Sequence, residues 1–132
     1  MKIRIKIVPN DINTVAKVVI VDDKKRVLFL KRSNYMKKFA GEWDLPGGHL
    51  KQNESLSAGL DREVEEETGL SVENPKLVDI DNNLHFFVAS YDSQPVKISH
   101  EHTEYRFFNK EDLDPTEKFQ KIAIKALEMI DD

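Results

Sequence analysis

One helix in this chain changes character along its inward face, and that narrows what the chain can build. Leu56, Leu60, Glu63, Glu67 and Leu70 recur at i, i+4, i+7, i+11 and i+14, which places them on one stripe. Glu66 lies beside Glu63, while Glu65 points roughly the opposite way. Carboxylates where the pattern calls for leucine bury charge at large cost unless something cationic meets them. Gly69 suits the C′ position, so Glu66 and Glu67 fall in the last turn, where the helix dipole disfavours negative charge. Glu63 and Glu67 are also a like-charged i, i+4 pair, costing roughly 0.2–0.5 kcal/mol. A hard divalent cation reverses all three penalties, because Mg²⁺ or Mn²⁺ prefers clustered carboxylate oxygens. The competing reading is a solvated acidic helix face. The helix alone leaves both open.

The flanking residues separate them. From Gly48 the chain reads GHLKQNESLSAGLDREVEEETGL, which fits G-x5-E-x7-R-E-U-x-E-E-x-G-U with U aliphatic. Gly48, Glu54, Arg62, Glu63, Val64, Glu66, Glu67, Gly69 and Leu70 fill every fixed position. Such a match arises by chance in fewer than about one in a million chains of this length. The segment, with its WDLPGG lead-in, resembles the Nudix hydrolase family. The resemblance implies an α/β architecture, the Nudix fold, in which a mixed β-sheet is sandwiched between α-helices.

Composition agrees with a small enzyme. The 132 residues suit one domain spanning 1–132, long enough to build a core without staples. Twenty basic against 24 acidic residues give a net charge of −4, which argues against a general nucleic-acid or membrane-surface binder. With no cysteine there is no disulfide framework, thiolate nucleophile or cysteine zinc site. The sequence carries no signal-peptide core and no membrane span, so a cytoplasmic location is the default expectation. A monomer or homodimer without stable nucleic-acid binding is expected.

Periodicity places the remaining elements. Ile3 to Val8 alternates apolar and basic residues and reads as a strand. Val15 to Val21 is an aliphatic run with one lysine, and Arg26 to Leu30 is a second run, joined by a hairpin at 22–25. A polar loop over 32–42 leads to WDLPGG. The acidic helix is expected from Ser55 to Thr68, capped by Asn53 or Ser55. Lys76 to Asp81 and Leu84 to Tyr91 read as paired strands turning at Asn82-Asn83, and Glu104 to Phe108 as a further strand. Asp114, Pro115 and Glu117 predict a helix start with Asp114 as N-cap. Phe119, Ile122, Ala123, Ala126 and Ile130 give that helix its apolar face.

The family resemblance implies metal-dependent hydrolysis of a nucleoside diphosphate linked to a further group. Mg²⁺ or Mn²⁺ would be held by Glu63, Glu66 and Glu67, with a main-chain carbonyl of Gly47 or Gly48. Arg62 resembles the arginine that orients a glutamate of the motif, and Glu54 its outer carboxylate. The general base is Glu67 or a carboxylate outside the motif, for which Glu104 is the candidate and Glu101 its rival. Arg32 is similar to an arginine that lies near the substrate, and His49, beside Gly48, is a candidate phosphate contact. Trp43 and Tyr35 could stack on a base, although Trp43 also suits a scaffold role. His100 and His102 alternate on one strand face, but zinc lacks a third ligand nearby in sequence.

The substrate stays open at this level. Relatives acting on ADP-ribose often carry a proline roughly fifteen positions after the motif, where this chain has His85. Relatives acting on dinucleoside polyphosphates often carry a tyrosine roughly sixteen to eighteen positions on, where this chain has Phe86, Phe87 and Val88. A nucleoside triphosphate, canonical or oxidised, is left by elimination, with nucleotide-pool sanitising as the role. A non-catalytic nucleotide sensor on the same fold would be expected to lose these glutamates. Isopentenyl diphosphate isomerase chemistry needs a cysteine, and mRNA decapping lacks a basic stripe here.

Overall fold

The computed structural model describes residues 13–131. The strand expected over Ile3 to Val8 lies outside the described residues. Among the described residues, seven strands form one mixed sheet: β1 (Val15–Val21), β2 (Val27–Arg32), β3 (Trp43–Asp44), β4 (Gly47–His49), β5 (Lys76–Asp81), β6 (Leu84–Ser90) and β7 (His102–Phe108). Helix α1 (Leu56–Thr68) covers one face and α2 (Lys118–Ile130) the other. On the α1 face, Ala16, Val18, Ile20, Leu28 and Leu30 pack with Leu60, Val64 and Leu70. On the α2 face, Val19, Val21, Val27, Phe29, Phe86 and Val88 pack with Ile122, Ala123, Ala126 and Leu127. Strand β1 is buried on both sides, which explains why it reads as a continuous aliphatic run.

The central feature is a split in the sheet. β1 and β2 are antiparallel neighbours, yet they pair only at Val21↔Val27 and then diverge. The WDLPGGH segment fills the opening. Asp44 and Trp43 pair with Leu30 and Lys31 of β2, whereas Gly47, Gly48 and His49 pair with Lys17, Ala16 and Val15 of β1. The other edge of β1 is covered by β6 in parallel, from Val15↔Leu84 to Val21↔Ser90. β5 extends the sheet beyond β6, and β7 pairs antiparallel with the far side of β2.

Both ends of α1 follow its sequence. Ser55 is the N-cap and its hydroxyl accepts from Ala58 N–H at 3.2 Å. Gly69 closes the helix in the left-handed region at φ 74°, where its N–H reaches the Glu65 carbonyl. The start of α2 differs from expectation. Asp114 is not its N-cap: the helix begins at Lys118, and Glu117 caps it by accepting from Phe119 N–H at 2.6 Å. Asp114 instead accepts from Thr116 N–H at 2.8 Å and from the Thr116 hydroxyl at 2.6 Å. That local turn consumes the carboxylate before the helix can use it.

Candidate active site

The split in the sheet builds the site from both sides. Inside it, Gly47 adopts φ 135° against β1, and a Cβ there would stand 2.0 Å from the Ala16 carbonyl oxygen. Only glycine allows that approach. It also leaves Gly47 N–H free to donate to Glu67 Oε1 at 2.8 Å, so the last turn of α1 is tied directly to the wedge. One residue on, a Cβ at Gly48 would fall 2.5 Å from Glu63 Oε2. Glu63 and Glu67 therefore converge on the Gly47-Gly48 backbone, as the inward stripe requires.

Their environments differ. Glu67 is 8% exposed, and burial pushes its carboxyl up to about 8 against the opposing field of Lys17 and the Gly47 hydrogen bond. Glu66 is exposed, Glu63 is half-buried and Glu65 is exposed on the outer side of the helix. Val64 shares the buried face with Leu60, so the apolar contact is wider than the stripe drawn from Leu56 to Leu70.

Arg62 gathers the acidic groups. It holds Glu54 through two bonds, Nε to Oε2 at 2.7 Å and Nη2 to Oε1 at 3.0 Å. Nη1 donates to Glu63 Oε1 at 2.9 Å and reaches the Glu66 carboxylate at 3.4 Å, while Nη2 also meets the His49 carbonyl at 3.1 Å. The arginine thus joins the loop before α1 to its acidic face. Gly59 makes the loop's approach possible, since a Cβ there would meet Leu50 Cδ2 at 1.9 Å.

The Arg62 hydrogen bond holds the Glu54 carboxyl down at about 2, against an ordinary 4.5. A depressed folded-state pKa contributes stability that is whole above the ordinary value and is lost as pH falls through it toward about 2. Wild-type stability is therefore expected to decline over that window, and Glu54→Gln to flatten the decline. Denaturant melts at successive pH values check this; parallel slopes for the two proteins would remove Glu54 as the cause.

A cleft of about 710 Å³ runs along this face, lined by Glu63, Glu66 and Glu67 at one end and by Arg32, Lys38 and Trp43 farther along. Val15, Leu84 and Phe119 add apolar wall, and Phe39 stands exposed at the rim. His49 and Gly48 also line it. Glu104 does not: it pairs with Arg106 Nη2 at 3.2 Å on β7, and Glu101 lines the cleft instead. The two histidines do not form a pair either. His100 is exposed, whereas His102 is buried with neither ring nitrogen bonded, and that burial lowers its pKa. Tyr35 is exposed, and its hydroxyl donates to the His100 carbonyl.

Sequence reading passed over a buried charge cluster in the floor of the cleft. Lys17 Nζ donates to Asp44 Oδ1 at 2.9 Å, to Oδ2 at 3.1 Å and to the Leu45 carbonyl at 3.2 Å. Asp44 also accepts from Arg32 Nη1 at 3.3 Å. The available signal was the single lysine in an otherwise aliphatic strand, because a strand buried on both faces cannot hold an unpaired ammonium.

The donor set fits a hard cation in kind. It is all oxygen, and Glu67 is a buried carboxylate whose nearest lysine is bonded to Asp44 rather than to it. Among the described residues no three acidic or imidazole groups are already gathered around one point, since Glu63 and Glu66 are turned onto Arg62. Holding an ion requires those two side chains to leave the arginine in part.

The described residues thus form a mixed sheet between two helices, with glutamates clustered at the C-terminal end of one helix and a glycine wedge against them. The chain belongs to the Nudix family: the model described as the NUDIX domain matches residues 12–129. Among solved structures, a MutT protein from Methanosarcina mazei Go1 is 29% identical, with a TM-score of 0.71 over 89% of this chain and 94% of that one. A MutT-like protein of Streptomyces ambofaciens is 40% identical over 65 residues, 49% of this chain and 39% of that protein. An 8-oxo-dGTP diphosphatase of Buchnera aphidicola is 37% identical over 49 residues, 37% of this chain and 38% of that protein. The matches thus span about two fifths of those two relatives' length. No helix among the described residues is long and apolar enough to cross a membrane.

Proposed function

We propose that the chain hydrolyses a phosphoric anhydride bond in a nucleoside triphosphate or a related nucleoside diphosphate derivative, with Mg²⁺ or Mn²⁺ as cofactor. The observation that carries this reading is Glu67: a buried carboxylate aimed at the glycine wedge, with Glu63 beside it and a cleft open in front. The name of the Buchnera relative favours an oxidised purine nucleotide, as does the lack of either sequence landmark for ADP-ribose or dinucleoside polyphosphates.

Glu63, Glu66, Glu67 and the Gly48 carbonyl would hold the ion. Bound there, it supplies neutralisation of phosphate oxygens and a more acidic water. The chain's own groups do the rest. Arg62 holds Glu63 in register with the His49 carbonyl, so ligands from the loop and from α1 keep their spacing. Arg32, farther along the cleft, takes the phosphate chain, and the wall formed by Val15, Leu84 and Phe119 takes the base. Glu67, the buried carboxylate of the three, is also the candidate within the motif to accept the attacking water's proton.

Activity is expected to require added Mg²⁺ or Mn²⁺, to vanish in chelator and to rise toward alkaline pH. The sign follows from competition: a proton on Glu67 excludes the cation, and that proton leaves as pH climbs through about 8. A nucleotide panel assayed with Mg²⁺, with each product identified, tests the whole reading. Turnover should give a nucleoside monophosphate or a shortened phosphate chain and no phosphorylated enzyme. An inert panel under both metals would overturn it.

A further inference from the structure

We infer that Lys17 is a positioning residue, which sets Arg32 for contact with the substrate's phosphate chain by fixing Asp44 between them. The inference rests on the proposed phosphate role of Arg32 and goes beyond it, because it assigns a function to a buried lysine outside the acidic motif.

Three observations support it. Lys17 and Asp44 are both nearly buried, with side chains 11% and 6% exposed, so their pairing is not the loose contact of two surface charges. The lysine directs its ammonium to both carboxylate oxygens and to the Leu45 carbonyl. Its three protons are thereby turned to protein rather than to the cleft. Lys17 is therefore a poor direct ligand for an anion, although it stands beneath the site. What it fixes is the plane of the Asp44 carboxylate.

Asp44 passes that constraint on. Its Oδ2 accepts from Arg32 Nη1 at 3.3 Å, and Arg32 Nε donates to the Lys38 carbonyl at 3.0 Å. Two anchors on different sides of a planar guanidinium fix its orientation. The Nη2 group has no protein partner among the described residues, while the arginine lines the cleft. The three residues come from three places in the fold: Lys17 from β1, Arg32 from β2 and Asp44 from β3, which is wedged beside it. The cluster thus spans the split, and the lysine in one strand sets the arginine in the other.

Charge arithmetic explains why a lysine is needed at this position. Without Lys17, Arg32 would be the chief cation left for a buried Asp44 and would be drawn toward it, away from an incoming phosphate. With Lys17 present, Asp44 is already neutralised and Arg32 keeps most of its charge for a ligand.

A double-mutant cycle tests this with two readouts. The first is the Kd of inorganic tripolyphosphate, measured by calorimetry in chelator so that no metal contributes. Lys17→Met should raise it roughly fivefold or more in the wild-type background and less than about 1.5-fold in an Arg32→Ala background. The second is hydrolysis of 8-oxo-dGTP at saturating Mg²⁺ and alkaline pH, where the field of Lys17 on Glu67 no longer limits metal loading; there Lys17→Met should raise KM by a similar factor and keep kcat within about twofold. Lys17→Met combined with Asp44→Asn removes both buried charges and serves where the single variant does not fold; its tripolyphosphate Kd should stay within about twofold of wild type, because no carboxylate is left to draw Arg32 from the cleft, and a fivefold rise would overturn the inference. Equal losses in both Arg32 backgrounds would overturn the inference, as would a fall in kcat with KM unchanged or an absence of tripolyphosphate binding by the wild type. An inert wild type in the hydrolysis assay that still binds tripolyphosphate would sink the hydrolase reading and leave the binding cycle to decide on Lys17.

Discussion

Glu67→Gln is expected to lower kcat by roughly 10²-fold, about 2.7 kcal/mol, while leaving the metal-free protein as stable as wild type or slightly more so. The stability half follows from the carboxyl's surroundings. Glu67 is buried in the last turn of α1, where its charge opposes both desolvation and the helix dipole. A glutamine oxygen can still accept the Gly47 N–H, so the tie between helix and wedge survives the change. The activity half follows from the loss of a charge and a proton acceptor at the proposed metal site. Glu66→Gln is expected to lose activity on the same scale, although its exposed side chain adds nothing to the core. Glu65→Gln, on the outer face, should change kcat by less than about threefold, under ~0.7 kcal/mol. Steady-state rates with Mg²⁺ and thermal melts in chelator decide the comparison. Equal activity in all three variants would place the chemistry elsewhere.

Gly47→Ala should be the most damaging single-methyl change in the site. The new Cβ would stand 2.0 Å from the Ala16 carbonyl oxygen and 2.7 Å from Lys17 Cα, both backbone, so no side chain can move aside. The φ of 135° adds strain of its own, and the sum is expected to cost about 3 kcal/mol or more. Relief requires the wedge to lift from β1, which pulls Gly47 N–H from Glu67 and separates β4 from Lys17. Denaturant melts measure the loss directly. A cost under about 1 kcal/mol would mean that the wedge is not held as tightly as its geometry implies.

Local rules carried much of the fold. β1 and β5 begin and end where their hydrophobic patterns do, and α1 is bounded by Ser55 and Gly69, residues suited to those caps. The acidic stripe likewise pointed to Glu63 and Glu67, because spacing alone settles which side chains share a helix face. What sequence could not supply was pairing at a distance. Nothing local to Lys17 announces that its partner is Asp44, since the two meet only when the wedge enters the split. Which of Glu101 and Glu104 lines the cleft is hidden from the sequence for a related reason. The β2–β7 register shifts at Lys31/Arg32, and Ser33 N–H bonds to the Glu101 carbonyl at 2.8 Å, so the chain turns toward the cleft before Glu104 is reached. Asp114 was misread through competition within one short segment, where a turn and a helix cap both call for the same carboxylate.

The split between β1 and β2 also bears on when the site can exist during synthesis. A hairpin of two neighbouring strands usually closes early, because its loop is short. Here the hairpin closes at a single pair, and most of β1 is satisfied by partners that emerge later: the wedge on one edge, and on the other β6, where Val15 meets Leu84. A nascent chain that has delivered every glutamate of the motif still lacks β6, the strand β7 that pairs with Arg32's own β2, and the Phe119 wall. The acidic cluster is thus delivered well before the cleft in front of it, and the proposed nucleotide binding would be a property of the finished sheet rather than of the motif.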